Sequence, residues 1–216
     1  MNDVEDRERK RLATVARNIK DEAPIIADLR GAGFAVEGVA DLFNKKLDYL
    51  NAVPILVAWL PRITNPNVKE GLVRALSVKW ARDIAELRPM LVAEFKCADD
   101  PTGSGLRWAI GNALEVLAND DIAEEMINLA RDRKYGSARQ MVVVGLGKLR
   151  APRVVSVLVD LLADDDVVGR AVVALRKLKA REARPHIERL LGHPRTWVRN
   201  EAKKALASLG VGVQRP

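Results

Sequence analysis

The sequence predicts an all-α fold, a right-handed superhelix of about five helical hairpins that follows an N-terminal helical cap. Self-similar segments recur every 29 to 38 residues, and each contains two helical patterns joined by a short polar loop. No long stretch alternates apolar and polar residues at the period of a β-strand. Because one hairpin cannot cover its own apolar face, we predict a single continuous array of repeats over residues 51–209.

The segments outside the array are predicted to be less regular. Residues 1–50 begin with a charged helix and continue as a degenerate repeat that caps the array, since terminal repeats are usually atypical. Residues 210–216 form a short tail.

The second helix of each hairpin shows the repeat most clearly. The five copies read VKEGLVRAL, LRWAIGNAL, ARQMVVVGL, VVGRAVVAL and VRNEAKKAL, and they begin at Val68, Leu106, Ala138, Val167 and Val198. Positions one, five, eight and nine lie on one helix face, which predicts the face that packs in the core. Position eight is always small, so we expect the neighbouring helix to approach closely there.

Position two of the second helix is basic in four of the five copies. In two of them it is Arg107 and Arg139. We expect both arginines to bind loop carboxylates or carbonyl groups between neighbouring repeats, because a guanidinium group offers five N–H donors in a fixed plane.

The first helices agree with this division. Pro54, Pro89 and Pro185 stand early in the segments AVPILVAWL, LRPMLVAEF and ARPHIERLL. Proline is tolerated in the first turn of a helix, where its missing N–H would have no intrahelical acceptor. The remaining first helices are predicted in DDIAEEMINLARD and PRVVSVLVDLL.

The segments LLADDDVVGRAVVALRKL and LLGHPRTWVRNEAKKALASL resemble the HEAT repeat. The closest subtype is the short bacterial one that is also found in phycobilisome-lyase-like proteins. The resemblance covers about residues 51–209 and implies that the second helices line the concave side of the array. Positions three, seven and ten of these helices then face a partner.

The predicted partner-binding residues come from these three positions. They are Glu70, Arg74, Trp108, Asn112, Glu115, Gln140, Val144, Val173, Arg176 and Lys204. In the middle of the set, Val144 and Val173 belong to helices that are apolar on nearly all sides. Two interpretations stay open: the valines are hidden by tight curvature of the array, or they line a groove for an apolar partner segment.

Composition narrows the classes of function. The chain has a net charge of +7 and a single cysteine, Cys97, so an internal disulfide framework is impossible. The excess of basic residues falls between Arg176 and Lys204. No apolar run is long enough to span a bilayer, and no signal-peptide segment is recognised at the start. We therefore expect a cytoplasmic protein without membrane partners.

Three hypotheses about function follow, in order of preference. The first is a non-catalytic scaffold or adaptor that binds a protein partner, with no catalytic residues, no metal and no cofactor. The second is a nucleic-acid binder that uses the basic C-terminal repeats. The third is an enzyme such as a HEAT-like DNA glycosylase or a lyase, but no acidic residue accompanies Trp108 and Asn112 as such a glycosylase would need. The oligomeric state is not predicted.

Overall fold

The computed structural model describes residues 3–100 and 105–210, and all regular secondary structure in these ranges is helical. The α-helices are α1 (Asp3–Gly31), α2 (Ala40–Asn44), α3 (Val53–Trp59), α4 (Pro66–Leu76), α5 (Leu87–Cys97), α6 (Leu106–Leu117), α7 (Ala123–Arg131), α8 (Gln140–Leu146), α9 (Val154–Asp160), α10 (Val168–Leu178), α11 (Arg184–Glu188) and α12 (Thr196–Gly210). Short 3-10 helices lie at Leu50–Ala52, Lys79–Asp83, Asp120–Ile122, Arg133–Arg139, Leu161–Ala163, Arg181–Ala183 and Arg189–Gly192.

The predicted hairpin segments are confirmed as helices. The first helices correspond to α3, α5, α7, α9 and α11, and the second helices correspond to α4, α6, α8, α10 and α12. The all-α prediction is therefore confirmed. The predicted tail, apart from Gly210, lies outside the described residues.

Contacts group the chain into two compact units, Met1–Met90 and Leu91–Pro216. The continuous array over residues 51–209 and its boundary at residue 50 stay predictions. We name the two groups unit 1 and unit 2 and describe each by itself.

In unit 1, helix α1 packs against α3 and α4. Its first half is exposed, whereas Ile25 and Leu29 in its second half are fully buried. The buried Asn65 caps α4 by accepting a hydrogen bond from the backbone N–H of Asn67 at 3.1 Å. The Asn65 side-chain amide also donates to Asp21 of α1 at 2.8 Å. One residue therefore both begins α4 and holds α1 against it.

In unit 2, the second helices form a row in which α6 packs against α8, α8 against α10 and α10 against α12. Each of the first helices α7, α9 and α11 packs against the second helix that follows it. Leucine, valine and alanine side chains at the predicted core positions are buried, among them Leu114, Val142 and Leu175. This row positions the candidate site.

Candidate partner-binding face

The row of helices in unit 2 is joined by a buried arginine. The Arg139 side chain is 0% exposed and donates to the carbonyl oxygens of Gly136 and Ala130, both at 2.9 Å. It also donates to the Asp164 carboxylate of the next hairpin's loop, at 3.0 and 3.3 Å. Asp166 accepts a further, longer bond of 3.4 Å. The predicted structural role of Arg139 between neighbouring repeats is confirmed.

The contact with Arg139 affects the pKa of the Asp164 carboxyl group. Burial raises the pKa of Asp164, but hydrogen bonds from Arg139 and from the backbone N–H of Asp166 outweigh burial, so the pKa lies below its ordinary value. Asp164 is therefore charged at neutral pH and balances the buried guanidinium group.

The arginines at the same position in the other repeats bind backbone instead. Arg107 donates to the carbonyl oxygens of Phe95 at 3.1 Å and of Asp100 at 3.0 Å, and it also donates to that of Ala98. Arg199 donates to the carbonyl oxygens of the His193–Pro194 loop at 2.7 and 2.8 Å. This repeated position therefore satisfies helix ends and loops.

Small residues allow the second helices to approach each other. At position eight, where a close approach was predicted, a Cβ atom added at Gly145 would lie 3.2 Å from the Glu115 Cα atom of α6. Close approaches also occur outside the predicted column, at positions ten and three. A Cβ atom added at Gly147 would lie 2.8 Å from the backbone of Ala174 in α10. A Cβ atom at Gly169 would lie 2.0 Å from the ring of Trp197, and the Arg170 guanidinium group stands 5.0 Å from the centre of that ring. Trp197 therefore covers Gly169 from the neighbouring hairpin.

Three predicted site residues share one face of α6. Trp108, Asn112 and Glu115 follow each other at spacings of four and three residues, and all three are half-buried. The Asn112 side-chain amide donates to the carbonyl oxygen of Trp108 at 2.8 Å. Its Oδ1 atom accepts no hydrogen bond from the described part of the chain. An aromatic ring and an amide oxygen are thus presented together.

Glu115 is bound by two lysines, one that follows α8 and one on α10. Its Oε1 atom is 3.0 Å from Lys148 Nζ and 3.1 Å from Lys177 Nζ, and Lys148 also donates to the Glu115 carbonyl oxygen at 2.5 Å. Burial raises the pKa of Glu115, but the hydrogen bonds from both lysines outweigh it and hold the pKa below its ordinary value. Glu115 is therefore an ionised carboxylate at neutral pH.

A second cluster of the same kind joins α10 and α12. The buried Glu201 carboxylate is 2.7 Å from Lys204 Nζ and 3.9 Å from the guanidinium group of Arg176. Arg176 Nε is buried and has no hydrogen-bond acceptor within residues 3–100 and 105–210. Arg176 and Lys204 were predicted as site residues, whereas the carboxylate that holds them was not.

The predicted apolar zone is largely covered. Val144 is only 5% exposed, so its assignment to the open face needs correction: the interpretation in which neighbouring repeats hide the valine applies to it. Val173 is half-buried. Gln140 is also half-buried, and its side-chain amide donates to the Asp166 carbonyl oxygen at 2.9 Å. The groove for an apolar partner segment therefore receives little support from Val144.

The two predicted site residues of unit 1 pair with each other. Arg74 donates two hydrogen bonds to Glu70 Oε1, at 2.9 and 2.7 Å, across one turn of α4. The Arg74 side chain is exposed and that of Glu70 is half-buried. Whether this pair, or any other residue of the predicted set, contacts a partner stays a prediction.

Sequence reasoning missed Lys148 and Lys177. They occupy position eleven of two consecutive second helices, 29 residues apart, and the predicted face ended at position ten. The recurrence of lysine at one column was the available signal. The recurrence could not be interpreted from the sequence, because the residue that both lysines contact, Glu115, belongs to a third helix.

No group of three or more potential metal-ligating side chains was found among the described residues. His193 stands 3.7 Å from Asp165 and accepts a hydrogen bond from the backbone N–H of Arg195, while His186 is exposed. The prediction that the chain is not an enzyme stays a prediction.

Comparison with known proteins supports the fold. A solved designed armadillo repeat protein, YIII(Dq)4CqI, is similar to this chain with a TM-score of 0.50 and 19% sequence identity. The similarity covers 76% of this chain and 85% of the designed protein. The chain therefore has a helical-repeat fold of the armadillo-like kind. No family model matches the sequence, and no curated protein matches it either. Within the described ranges, no helix is both long enough and apolar enough to cross a membrane.

Proposed function

We propose that the chain is a non-catalytic scaffold that binds a protein partner through the second-helix face of unit 2. The observation that carries the proposal is that the Trp108 ring and the Asn112 amide lie on one face of α6 and are both half-buried. Tryptophan is enriched among the residues that dominate binding energy at protein interfaces. The amide oxygen of Asn112 can accept a hydrogen bond from a backbone N–H of a partner segment.

The repeat fold supports this use of the face. In stacked helical hairpins the backbone groups are bonded within the helices, so recognition depends on the side chains that the second helices display. The close approach of α8 and α10 at Gly147 and the buried Arg139 contact hold these helices in fixed positions. A rigid display reduces the entropy that binding costs.

The repeat subtype and the location of the protein are part of the same proposal. We infer a HEAT-type array of the short bacterial, phycobilisome-lyase-like subtype, supported by the two-helix repeats and by the contact between Arg139 and the Asp164 loop. A cytoplasmic location is inferred from the use of only one cysteine, Cys97. No cofactor is assigned.

The proposal can be tested by affinity capture with the full chain from the cells in which it occurs, followed by mass spectrometry. The test variant is Trp108→Ala with Asn112→Ala, and its control is Asn128→Ala with Ser156→Ala, two exposed residues of the first helices α7 and α9. We expect the test variant to lose the partner that both the wild type and the control retain. Circular dichroism spectra verify that all three proteins are folded.

Equal capture by the wild type and both variants would contradict the proposal. Loss of the partner from the control alone would also contradict it, because the partner would then bind the first-helix side.

A further inference from the structure

Four cations of unit 2 are paired with two carboxylates that are less exposed than the cations themselves. The Glu115 and Glu201 side chains are 15% and 9% exposed, whereas those of Lys148, Lys177 and Arg176 are 29%, 36% and 37% exposed. Lys204 is the most exposed of the four cations, at 63%. The solvent-facing layer of both clusters is therefore cationic. We name the four residues Lys148, Arg176, Lys177 and Lys204 the cation strip.

The cation strip follows the row of second helices. Lys148 comes two residues after α8, Arg176 and Lys177 are neighbours in the last turns of α10, and Lys204 lies on α12. Lys177 forms an ion pair with Glu115 of α6, whereas Arg176 forms one with Glu201 of α12. The two clusters thus meet at the end of α10.

The carboxylates beneath the strip neutralise only half of its charge. Four cations and two carboxylates leave a charge of +2. Each lysine ammonium group has three N–H donors, and contacts with one glutamate do not use them all. Arg176 is held less tightly, at 3.9 Å from Glu201, and its Nε atom lacks an acceptor among the described residues.

We propose that the cation strip binds an acidic segment of the protein partner, with aspartate or glutamate carboxylates on its cations. This inference rests on the proposed function, because Trp108 and Asn112 lie on the same face of α6 as Glu115. That face extends about 10 Å from residue 108 to residue 115 at 1.5 Å per residue. The partner segment then places an apolar or backbone group at Trp108 and its carboxylates beyond Glu115.

The two glutamates restrict the motion of the cation strip before a ligand binds. A free surface lysine loses side-chain entropy when it binds a carboxylate. Lys148 and Lys177 are already held by one shared oxygen of Glu115, so less of that entropy remains to be lost.

An acidic peptide fits the strip better than a nucleic acid does. Binding to a phosphate backbone depends on many neutralised phosphates in regular series. Here the charge of +2 is confined to two clusters, so the strip can bind a few carboxylates but offers no long series of cations for a phosphate backbone.

The test is fluorescence anisotropy with the full chain and three labelled probes: hexaglutamate, hexalysine and a 12-nucleotide single-stranded DNA. The test variant is Lys148→Gln with Lys177→Gln, and its control is Arg189→Gln with Lys203→Gln, two exposed cations outside the strip. Both variants lower the net charge by two. We expect hexaglutamate to bind the test variant about fivefold more weakly than the wild type, as the loss of two solvent-exposed ion pairs implies. The control should stay within about twofold of the wild type.

A third variant, Glu115→Gln with Lys148→Gln and Lys177→Gln, leaves no unpaired carboxylate behind and keeps the test valid should the double variant fail to fold. It should also bind hexaglutamate about fivefold more weakly than the wild type. Equal losses in the control variant would overturn the inference, since only net charge would then matter. Undetectable hexaglutamate binding by the wild type would overturn it, as would hexalysine binding of equal strength.

Tighter binding of the DNA probe, lost in the same variants, would also overturn the acidic-peptide inference and favour a nucleic-acid partner. Failure of the proposed function is distinguishable, because capture that depends on Trp108 and Asn112 does not use these probes. Partner capture that survives the loss of those two residues removes the proposed function. A negative hexaglutamate result with normal capture removes the acidic segment alone.

Discussion

Unit 2 contains two kinds of ion cluster that join neighbouring hairpins, and they are arranged in opposite order. At Arg139 the cation is fully buried, and carbonyl oxygens and the Asp164 carboxylate surround it. At Glu115 the carboxylate lies below, and the two lysines around it reach the surface. In the Arg139 cluster, the hydrogen bonds of the cation are all made inside the protein. In the Glu115 cluster, the cations are partly exposed to solvent.

The two arrangements indicate different roles for the Arg139 cluster and the Glu115 cluster. A buried arginine that is bonded on every side cannot meet a partner, so Arg139 serves the packing of α8 against the loop before α10. Half-exposed lysines above a fixed carboxylate can bind a second one. We therefore expect the Arg139 cluster to control stability and the Glu115 cluster to control binding.

The largest effect is expected from Arg139→Met, which leaves the Asp164 carboxylate without its main partner. Breaking a buried ion pair by removing one member typically costs about 3–5 kcal/mol. Urea unfolding followed by circular dichroism measures the change. The matched control, Arg153→Met, removes an exposed arginine paired with Glu124 and should change the unfolding free energy by less than about 0.5 kcal/mol. Similar losses for both variants would break the comparison.

Gly147→Ala tests the backbone contact that positions Lys148. The added Cβ atom meets the Ala174 backbone at 2.8 Å, and a backbone atom cannot swing aside as a flexible side chain can. We expect a loss of about 1–3 kcal/mol in the unfolding free energy, the usual cost of overpacking. Gly71→Ala, in α4 with no atom within 4 Å of the added Cβ, should instead stabilise the protein by about 0.5–1 kcal/mol. A neutral Gly147→Ala would show that the two helices can separate freely.

Glu115→Gln sharpens the contrast with Arg139. The substitution removes the negative charge of Glu115 but leaves Lys148 and Lys177 in contact with water. Neither lysine therefore becomes a buried, unpaired charge. We expect a loss of at most about 1 kcal/mol in urea unfolding. A loss comparable to that of Arg139→Met would mean that the Glu115 cluster is chiefly structural.

The smallest effect concerns the dependence of stability on pH. Because the folded-state pKa of Asp164 is lowered, its stabilising contribution is fully present above its unfolded pKa of about 3.9 and is lost as pH falls through the lower folded pKa. The unfolding free energy of the wild type should therefore fall below about pH 4. Asp164→Asn should reduce this slope, and the exposed control Asp160→Asn should keep it. An unchanged slope for Asp164→Asn would contradict the assignment.

Much of the fold could be predicted because it depends on local patterns. The column of small residues at position eight located the close approach at Gly145, and the basic column identified Arg139 as a contact between repeats. Trp108, Asn112 and Glu115 were predicted together because their spacing on one helix fixes their common face. The armadillo-like similarity agrees with this helical-repeat prediction.

The remaining features depend on distances between helices, which a repeat alignment does not contain. Val144 was assigned to the open face from its column, but the packing of α8 between α6 and α10 buries it. Lys148 and Lys177 were missed because their partner lies on a third helix. The cover that Trp197 provides over Gly169 likewise depends on how closely α12 approaches α10.

Site-specific photocrosslinking tests the central claim most directly. A benzophenone amino acid replaces Trp108 in one variant of the chain and Asn128, on the first-helix side, in a second variant. Both variants are irradiated in the cells in which the chain occurs. The account predicts one covalent protein adduct from position 108 and none from position 128. The same adduct from both positions, or an adduct from position 128 alone, would contradict it.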